Sequence, residues 1–257
     1  MDFIAQQARR SLGKVKSETL RLVRERAAPL VKNIPIERYP GWLGYLIDLQ
    51  VPRRVKHQPK SPLGTANINI LIHFVREAAV IPGDIAECGV YRGGTLVPMA
   101  LYVKQHGISK TLIGFDSWAG FSEEIKIDMA LGGADFYEKY PGGLYASYDD
   151  VRDRVKKMDL QDLVILEKGF FIHTLQRQAH RKFAFVHIDS VTYQSYKDTL
   201  VFFYPRMSPG GVILFDEYND PPWPGCNKAV DEVLSDKPEK PMEIESEGFQ
   251  KWYIRKQ

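Results

Sequence analysis

GDIAECGVYRGGT, residues 83–95, is the stretch that decides the fold. Asp84 to Val90 is a short apolar run closed upstream by Pro82-Gly83, and the turn after it holds Gly89, Gly93 and Gly94. From Thr95 to Gln105 the apolar residues recur at helical spacing. A strand that passes through glycines into a helix is the repeating unit of an open parallel sheet. Glycine takes backbone conformations other residues avoid, and main chain without side chains can lie against a ligand at a helix N-terminus. The spacing is not G-x-G-x-x-G, and the acid, Glu87, precedes the first glycine, so the dinucleotide fingerprint is absent. A tight β-to-α turn with no ligand is the plain alternative.

The alternation continues on both sides. Residues 68–79 read as a helix. Downstream, strands at 111–117, 163–168, 183–189 and 211–217 alternate with helices at 148–158, 171–180, 193–204 and 227–234. Each strand is a near-continuous apolar run ended by an acid or a turn residue, as in strands buried on both faces. Residues 242–245 and 249–255 flank Ser246, Glu247 and Gly248 and read as a hairpin. The expected class is α/β: a doubly wound, mostly parallel, Rossmann-like seven-stranded sheet with a terminal antiparallel hairpin. Such sheets bind ligands at the carboxyl ends of their strands. Residues 62–257 are assigned to this domain, and residues 1–61 to an N-terminal helical arm with a linker or lid rich in proline.

Composition narrows the function. The 257 residues are 44% hydrophobic and 26% charged, enough apolar content for a core and outside the disordered range. Lys+Arg 35 against Asp+Glu 32 leaves +3, too even to imply a nucleic-acid partner. Cys88 and Cys226 lie far apart, which excludes a disulfide framework and fits a reducing compartment. No apolar run approaches the roughly 20 residues of a spanning helix, and the N-terminus lacks a signal-peptide pattern, so a cytoplasmic protein is expected. Ile4, Ala8, Leu12 and Val15 among Arg9, Arg10 and Lys14 make the arm a basic amphipathic helix. Two roles are open: contact with an anionic membrane surface, and, favoured by the thin apolar face, packing on the domain or on a second subunit of a homo-oligomer.

The strand ends carry the chemistry. Asp116 closes the second strand, where a carboxylate can accept bonds from both hydroxyls of a ribose, and Ser117-Trp118 follow it. With the glycine turn this indicates an adenosine-containing ligand. Asp189 ends the fourth strand, and Asp216 and Glu217 end the fifth. Three carboxylates from adjacent strand ends would repel, so a hard divalent cation or nearby Lys or Arg must compensate them, and oxygen ligands favour Mg²⁺ over zinc. Three solvated acids at loop starts are the alternative.

Residues 83–95, GFDSWAGF (114–121), FVHIDS (185–190) and SPGGVILFDEY (208–218) together resemble the macrocin O-methyltransferase family, TylF-like and metal-dependent, within the class I S-adenosylmethionine methyltransferases. The resemblance covers roughly residues 82–218. It implies that Glu87, Gly89 and Gly93 lie along the methionine end of S-adenosylmethionine. It further implies that Asp116 and Ser117 hold the ribose, that 168–171, with Gly169 and Phe170, lie by the adenine, and that Tyr91, Arg92, Gly94, Trp118 and Asp189 complete the cofactor wall. The rings of Tyr91 and Trp118 suit a sulfonium, with core packing as the alternative for each. Asp189, Asp216 and Glu217 are the implied Mg²⁺ ligands, Glu217 replacing a more usual aspartate. The implied activity is O-methylation of a hydroxyl on a sugar or glycosylated small molecule.

One position departs from the family. Where it has an aspartate that is a candidate base, this chain has Val191, which cannot take a proton. His187, two residues before Asp189, is placed to orient Asp189 or a water, with a catalytic role and a satisfied buried histidine both open. Tyr193 and His173 are further candidates. Val191 keeps a second function open: a non-catalytic protein that retains the cofactor fold as a scaffold. An NAD-dependent oxidoreductase is disfavoured by the missing fingerprint. Residues 121–148, with four glycines and many aromatics, suit a lid, and 221–225 (PPWPG) a stiff wall beside the metal. Valine at Gly89 is expected to block cofactor binding and leave the fold largely intact.

Overall fold

The structure is a computed structural model that describes residues 64–121, 126–131, 145–246 and 248–257. The arm and linker, and most of the 121–148 segment, lie outside the described residues. Elements run α1 (Gly64–Ala78), β1 (Asp84–Cys88), α2 (Leu96–Gln105), β2 (Leu112–Asp116), α3 (Lys126–Ala130), α4 (Tyr148–Lys157), β3 (Val164–Lys168) and α5 (Phe171–Thr174). They continue as β4 (Phe183–Ile188), α6 (Tyr193–Phe203), β5 (Met207–Phe215), α7 (Pro224–Leu234), β6 (Met242–Ser246) and β7 (Phe249–Arg255).

The seven strands form one sheet in the order β3-β2-β1-β4-β5-β7-β6, with β1 to β5 parallel and β7 antiparallel to both β5 and β6. The doubly wound sheet with its terminal hairpin is therefore as expected. Alternation along each strand feeds two cores. Ile85, Leu112, Phe185, Val212 and Leu214 face α1, α2 and α4, while Ala86, Ile113, Val186, Ile213 and Phe215 face α6 and α7. Both sheet faces are covered, which is why these strands read as unbroken apolar runs. The reversal of winding between β1 and β4 opens a crevice at their carboxyl ends.

Three boundaries differ from expectation, each for a local reason. The helix expected over 171–180 is α5 followed by a 3-10 turn, Leu175–Gln178, whose Arg177 and Gln178 side chains bond the Glu167 carboxylate at 3.0 and 2.6 Å. Strand β5 starts four residues early and runs through Pro209-Gly210-Gly211, where its pairing with β4 shifts register and Lys256 bonds the glycines on the other side. Pro224 and Gly225 are not wall but the first turn of α7, a position that suits proline because no amide is needed there.

Candidate active site

The crevice floor is set by main-chain bonds that step across the strand ends. Gly89 N–H donates to Phe115 O (2.9 Å), Asp189 N–H to Cys88 O (2.8 Å), Asp216 N–H to Ile188 O (2.9 Å) and Gly169 N–H to Asp116 O (2.9 Å). Each residue just past its strand is thus fixed by the last carbonyls of its neighbour. Above them opens a cleft of about 1430 Å³.

At one end the cleft is built from backbone. Asp116 takes the amide of Tyr91 at 2.7 Å on one oxygen and that of Trp118 at 2.7 Å on the other. Tyr91 and Trp118 both have positive φ (48° and 47°), which points those amides at the carboxylate. Burial raises the Asp116 pKa, and the two amides oppose that rise. A carboxylate has about four acceptor sites, so beside the amides of Trp118, Tyr91 and Val90 acceptor capacity remains for a further donor. Gly89 has φ 98°, and a Cβ there would meet Asp189 O at 1.6 Å. The glycine is required by the contact between the β1 and β4 ends, so the expectation that valine would spare the fold is corrected.

At the other end the cleft is built from charged side chains. Parallel pairing sets Glu87 beside His187, and Glu87 Oε1 meets His187 Nδ1 at 3.0 Å. His187 Nε2 lies 3.2 Å from Asp216 Oδ1. The antiparallel partnership of Phe215 with Trp252 puts Asp216 opposite Lys251, whose Nζ donates to Asp216 Oδ1 at 2.5 Å and to its carbonyl at 2.8 Å. The chain of charges Glu87, His187, Asp216, Lys251 alternates in sign and is almost wholly buried. Burial works against the imidazolium, but Asp216 and Glu87 outweigh it and lift the His187 pKa to about 10. Burial also works to raise Asp216, and Lys251 and His187 overcome it to hold that acid low.

Asp189 and Glu217 share a hydrogen bond between their carboxyls. Burial, then the charge of Asp216, pushes Asp189 up to about 7, and burial with the charge of Asp189 pushes Glu217 well above the usual carboxylate range. The buried Tyr196 hydroxyl lies 2.6 Å from Glu217 Oε2, accepts the Glu217 amide at 3.0 Å and touches Ile188 O at 3.0 Å. Ligand atoms of His187, Asp189 and Asp216 lie within 4.8 Å of one another, and Glu217, nominated from sequence, falls outside that grouping. His187, as an imidazolium with both nitrogens on carboxylates, has no lone pair for a metal, so Asp189 and Asp216 are the oxygen ligands on offer.

The cleft wall includes Gly89, Tyr91, Arg92, Gly94, Asp116 and Ser117 of the nominated residues, and also Gly169, Phe170, Asp189, Asp216 and Glu217. Glu87, Gly93, Trp118 and His187 are off the wall. Trp118 is 8% exposed, packs edge-on to Tyr148 and donates its indole N–H to Tyr91 O at 2.9 Å. It braces the turn from behind. His187 orients Asp216, not Asp189 as the strand spacing suggested. His173 stands on the wall, whereas the Tyr193 hydroxyl turns to Glu232 at 2.6 Å.

Val191 is on the wall with φ 55°, a left-handed conformation strained for a β-branched residue. Its downstream neighbours hold it there. The Tyr193 amide donates to Asp128 Oδ1 at 2.9 Å, Thr192 caps Ser195 N, and Gly225 leaves the room Asp128 fills, since a Cβ there would sit 2.0 Å from Asp128 Oδ1. Lys251, Tyr196 and Asp128 were not nominated from sequence. Lys251 alone carried a readable signal, as a cation between Phe249 and Tyr253 on one face of β7.

Residues 62–245 match the family described as macrocin-O-methyltransferase (TylF). Over 140 residues the chain is 30% identical to 8-demethyl-8-(2,3-dimethoxy-alpha-L-rhamnosyl)-tetracenomycin-C 4'-O-methyltransferase of Streptomyces olivaceus, covering 54% of each protein. Over 154 residues it is 31% identical to demethyldecarbamoylnovobiocin O-methyltransferase of Streptomyces niveus, covering 59% of this chain and 58% of the relative. The matched part thus spans little more than half the length of these curated relatives. The solved structure of the O-methyltransferase NovP superposes with a TM-score of 0.65 at 27% identity, over 75% of this chain and 80% of that one. The family match takes in the carboxyl ends of β1 to β5 at the cleft, from Gly89 to Glu217, and on that extent the chain belongs to the macrocin-O-methyltransferase (TylF) family.

Proposed function

We propose that the protein transfers a methyl group from S-adenosylmethionine to a hydroxyl on a sugar or glycosylated small molecule, assisted by Mg²⁺. The observation that carries this is one cleft with two unlike ends, a diol-sized carboxylate on a glycine turn and a cluster of acids from β4 and β5. An orphaned buried atom on the wall supports a ligand there: Ser190 Oγ has no partner among the described residues.

Asp116, with its oxygens fixed by two amides, accepts the ribose hydroxyls, and Gly169 and Phe170 border the adenine. The Tyr91 ring supplies a π-face for the sulfonium. Asp189 and Asp216 would hold the Mg²⁺ ion, with Glu217 as a neighbouring acid outside their grouping, and the ion when bound polarises the acceptor hydroxyl as a Lewis acid. Methyl transfer is an in-line displacement, so the remaining work of the chain is alignment. His187 fixes Asp216, Tyr196 fixes Glu217, and Val191 presents an apolar wall with no base. Two free, buried thiols, Cys88 and Cys226, suit a reducing compartment, in keeping with a cytoplasmic enzyme. The arm, residues 1–61, is read as a contact with a second subunit or a membrane surface. Among the described residues no helix is long and apolar enough to cross a membrane.

Calorimetry with S-adenosylmethionine and S-adenosylhomocysteine, followed by labelled-methyl turnover on a panel of glycosylated acceptors with and without EDTA, tests this. Binding and EDTA-sensitive turnover are expected. Failure to bind either cofactor form overturns the assignment, and binding without turnover on any acceptor favours the scaffold reading that Val191 leaves open.

A further inference from the structure

Lys251 stands apart from the rest of the acid cluster because it is a cation where a second cation is called for. Its side chain is 4% exposed, and its ammonium lies 2.5 Å from Asp216 Oδ1 and 2.8 Å from Asp216 O. The cluster it enters holds Asp189 and Glu217 on a shared hydrogen bond, with His187 on the same Asp216 oxygen at 3.2 Å. Lys251 is delivered by register, since β7 runs antiparallel to β5 and Phe215 pairs with Trp252. Its place beside Asp216 is therefore a property of the sheet and not of a loose side chain.

Resting on the Mg²⁺ reading above, we propose that Lys251 is an internal competitor for the divalent cation, holding Asp216 until the metal displaces it and thereby setting a weak metal affinity. Mg²⁺ binds carboxylate oxygens at about 2.1 Å, so an ion on either oxygen of Asp216 lies within roughly 7 Å of an ammonium that has stayed in place. In so buried a site, like charges at that separation repel strongly. The ammonium has somewhere to go: Asp220, exposed on the cleft wall, already feels the Lys251 charge. Removing the ammonium leaves Asp216 for the metal alone. Replacing it with arginine keeps the competition.

The test is Mn²⁺ binding, read by loss of the free-ion electron paramagnetic resonance signal, on full-length wild type, Lys251→Met, Lys251→Gln and Lys251→Arg. Met and Gln are expected to bind Mn²⁺ roughly tenfold tighter or more, with Arg no tighter than wild type. Unchanged or weaker binding in both neutral variants, while wild type binds, overturns the proposal and spares the metal reading. Mn²⁺ binding to none of the four proteins, with S-adenosylhomocysteine still bound, overturns both together. Should the neutral variants not fold, the wild type decides: acetylation of Lys251, followed by mass spectrometry, should rise when Mn²⁺ is added. An unchanged labelling rate overturns the proposal.

Discussion

The two ends of the cleft are built on opposite plans. The Asp116 end is made of main chain: two amides hold the carboxylate, and glycines with positive φ bring the backbone in close. The Asp216 end is made of side chains from β1, β4, β5 and β7, held by charge alternation in a buried setting. The first is mostly local in sequence, since all its parts but the Gly169-Phe170 turn lie between Cys88 and Phe121. The second joins Glu87 to Lys251 and exists only when four strands are in register. A backbone-built end should fail all at once under substitution, whereas a side-chain-built end should lose chemistry and stability separately.

The largest effect expected is at the seam between the two plans. Gly89→Val places atoms inside Asp189 O and forces an unfavourable φ, at a cost of at least about 4 kcal/mol. Thermal unfolding and calorimetry should show loss of both stability and S-adenosylhomocysteine binding, and a folded, binding-competent variant would break the comparison. Next, His187→Leu strands Glu87 and Asp216 as buried acids and should destabilise by about 3–5 kcal/mol in urea titrations. A neutral result would mean that the alternating charges do not hold that end together.

Asp216→Asn should separate chemistry from binding. Turnover should fall roughly a hundredfold or more while S-adenosylhomocysteine affinity stays within about threefold. Equal losses in both would erase the distinction between the ends. Val191→Asn should relieve the left-handed strain and stabilise by about 1 kcal/mol, since asparagine tolerates that region. No gain in denaturation midpoint would show that the turn, not the residue, sets the cost.

The smallest effect lies away from the cleft. Burial works to raise the Glu239 pKa, but Lys256 at 2.7 Å, the Tyr204 hydroxyl and the Gln257 amide bring it down to about 2. A folded pKa below the ordinary 4.5 means this acid stabilises the fold above that pH and loses its contribution as pH falls toward 2. Glu239→Gln should flatten the acid limb of the stability curve and leave ligand affinity unchanged. Any shift in cofactor binding would tie this C-terminal contact to the site.

The order of strands and helices was legible because buried parallel strands are continuous apolar runs and each ends in a glycine or an acid. The strand-end residues Asp116, Asp189, Asp216 and Glu217 were legible for the same reason, since an acid closing an apolar run has few structural uses. Edges were less so: Pro209-Gly210 precedes the strand expected over 211–217, yet lies inside β5 because Lys256, just past β7, supplies bonds there. Trp118 read equally as a ligand-facing ring and as core packing, and burial against Tyr148 makes it a brace.

Sequence by itself determined which residues are acids at strand ends and which turns are glycine, because those depend on neighbours a few positions away. Tertiary structure alone decided what neutralises the acids. Lys251 sits 35 residues from Asp216, and only antiparallel register between β5 and β7 turns that interval into a 2.5 Å contact. Pairing register is a long-range property set by the whole sheet, so the electrostatics of the site could not be read before the strands were in place.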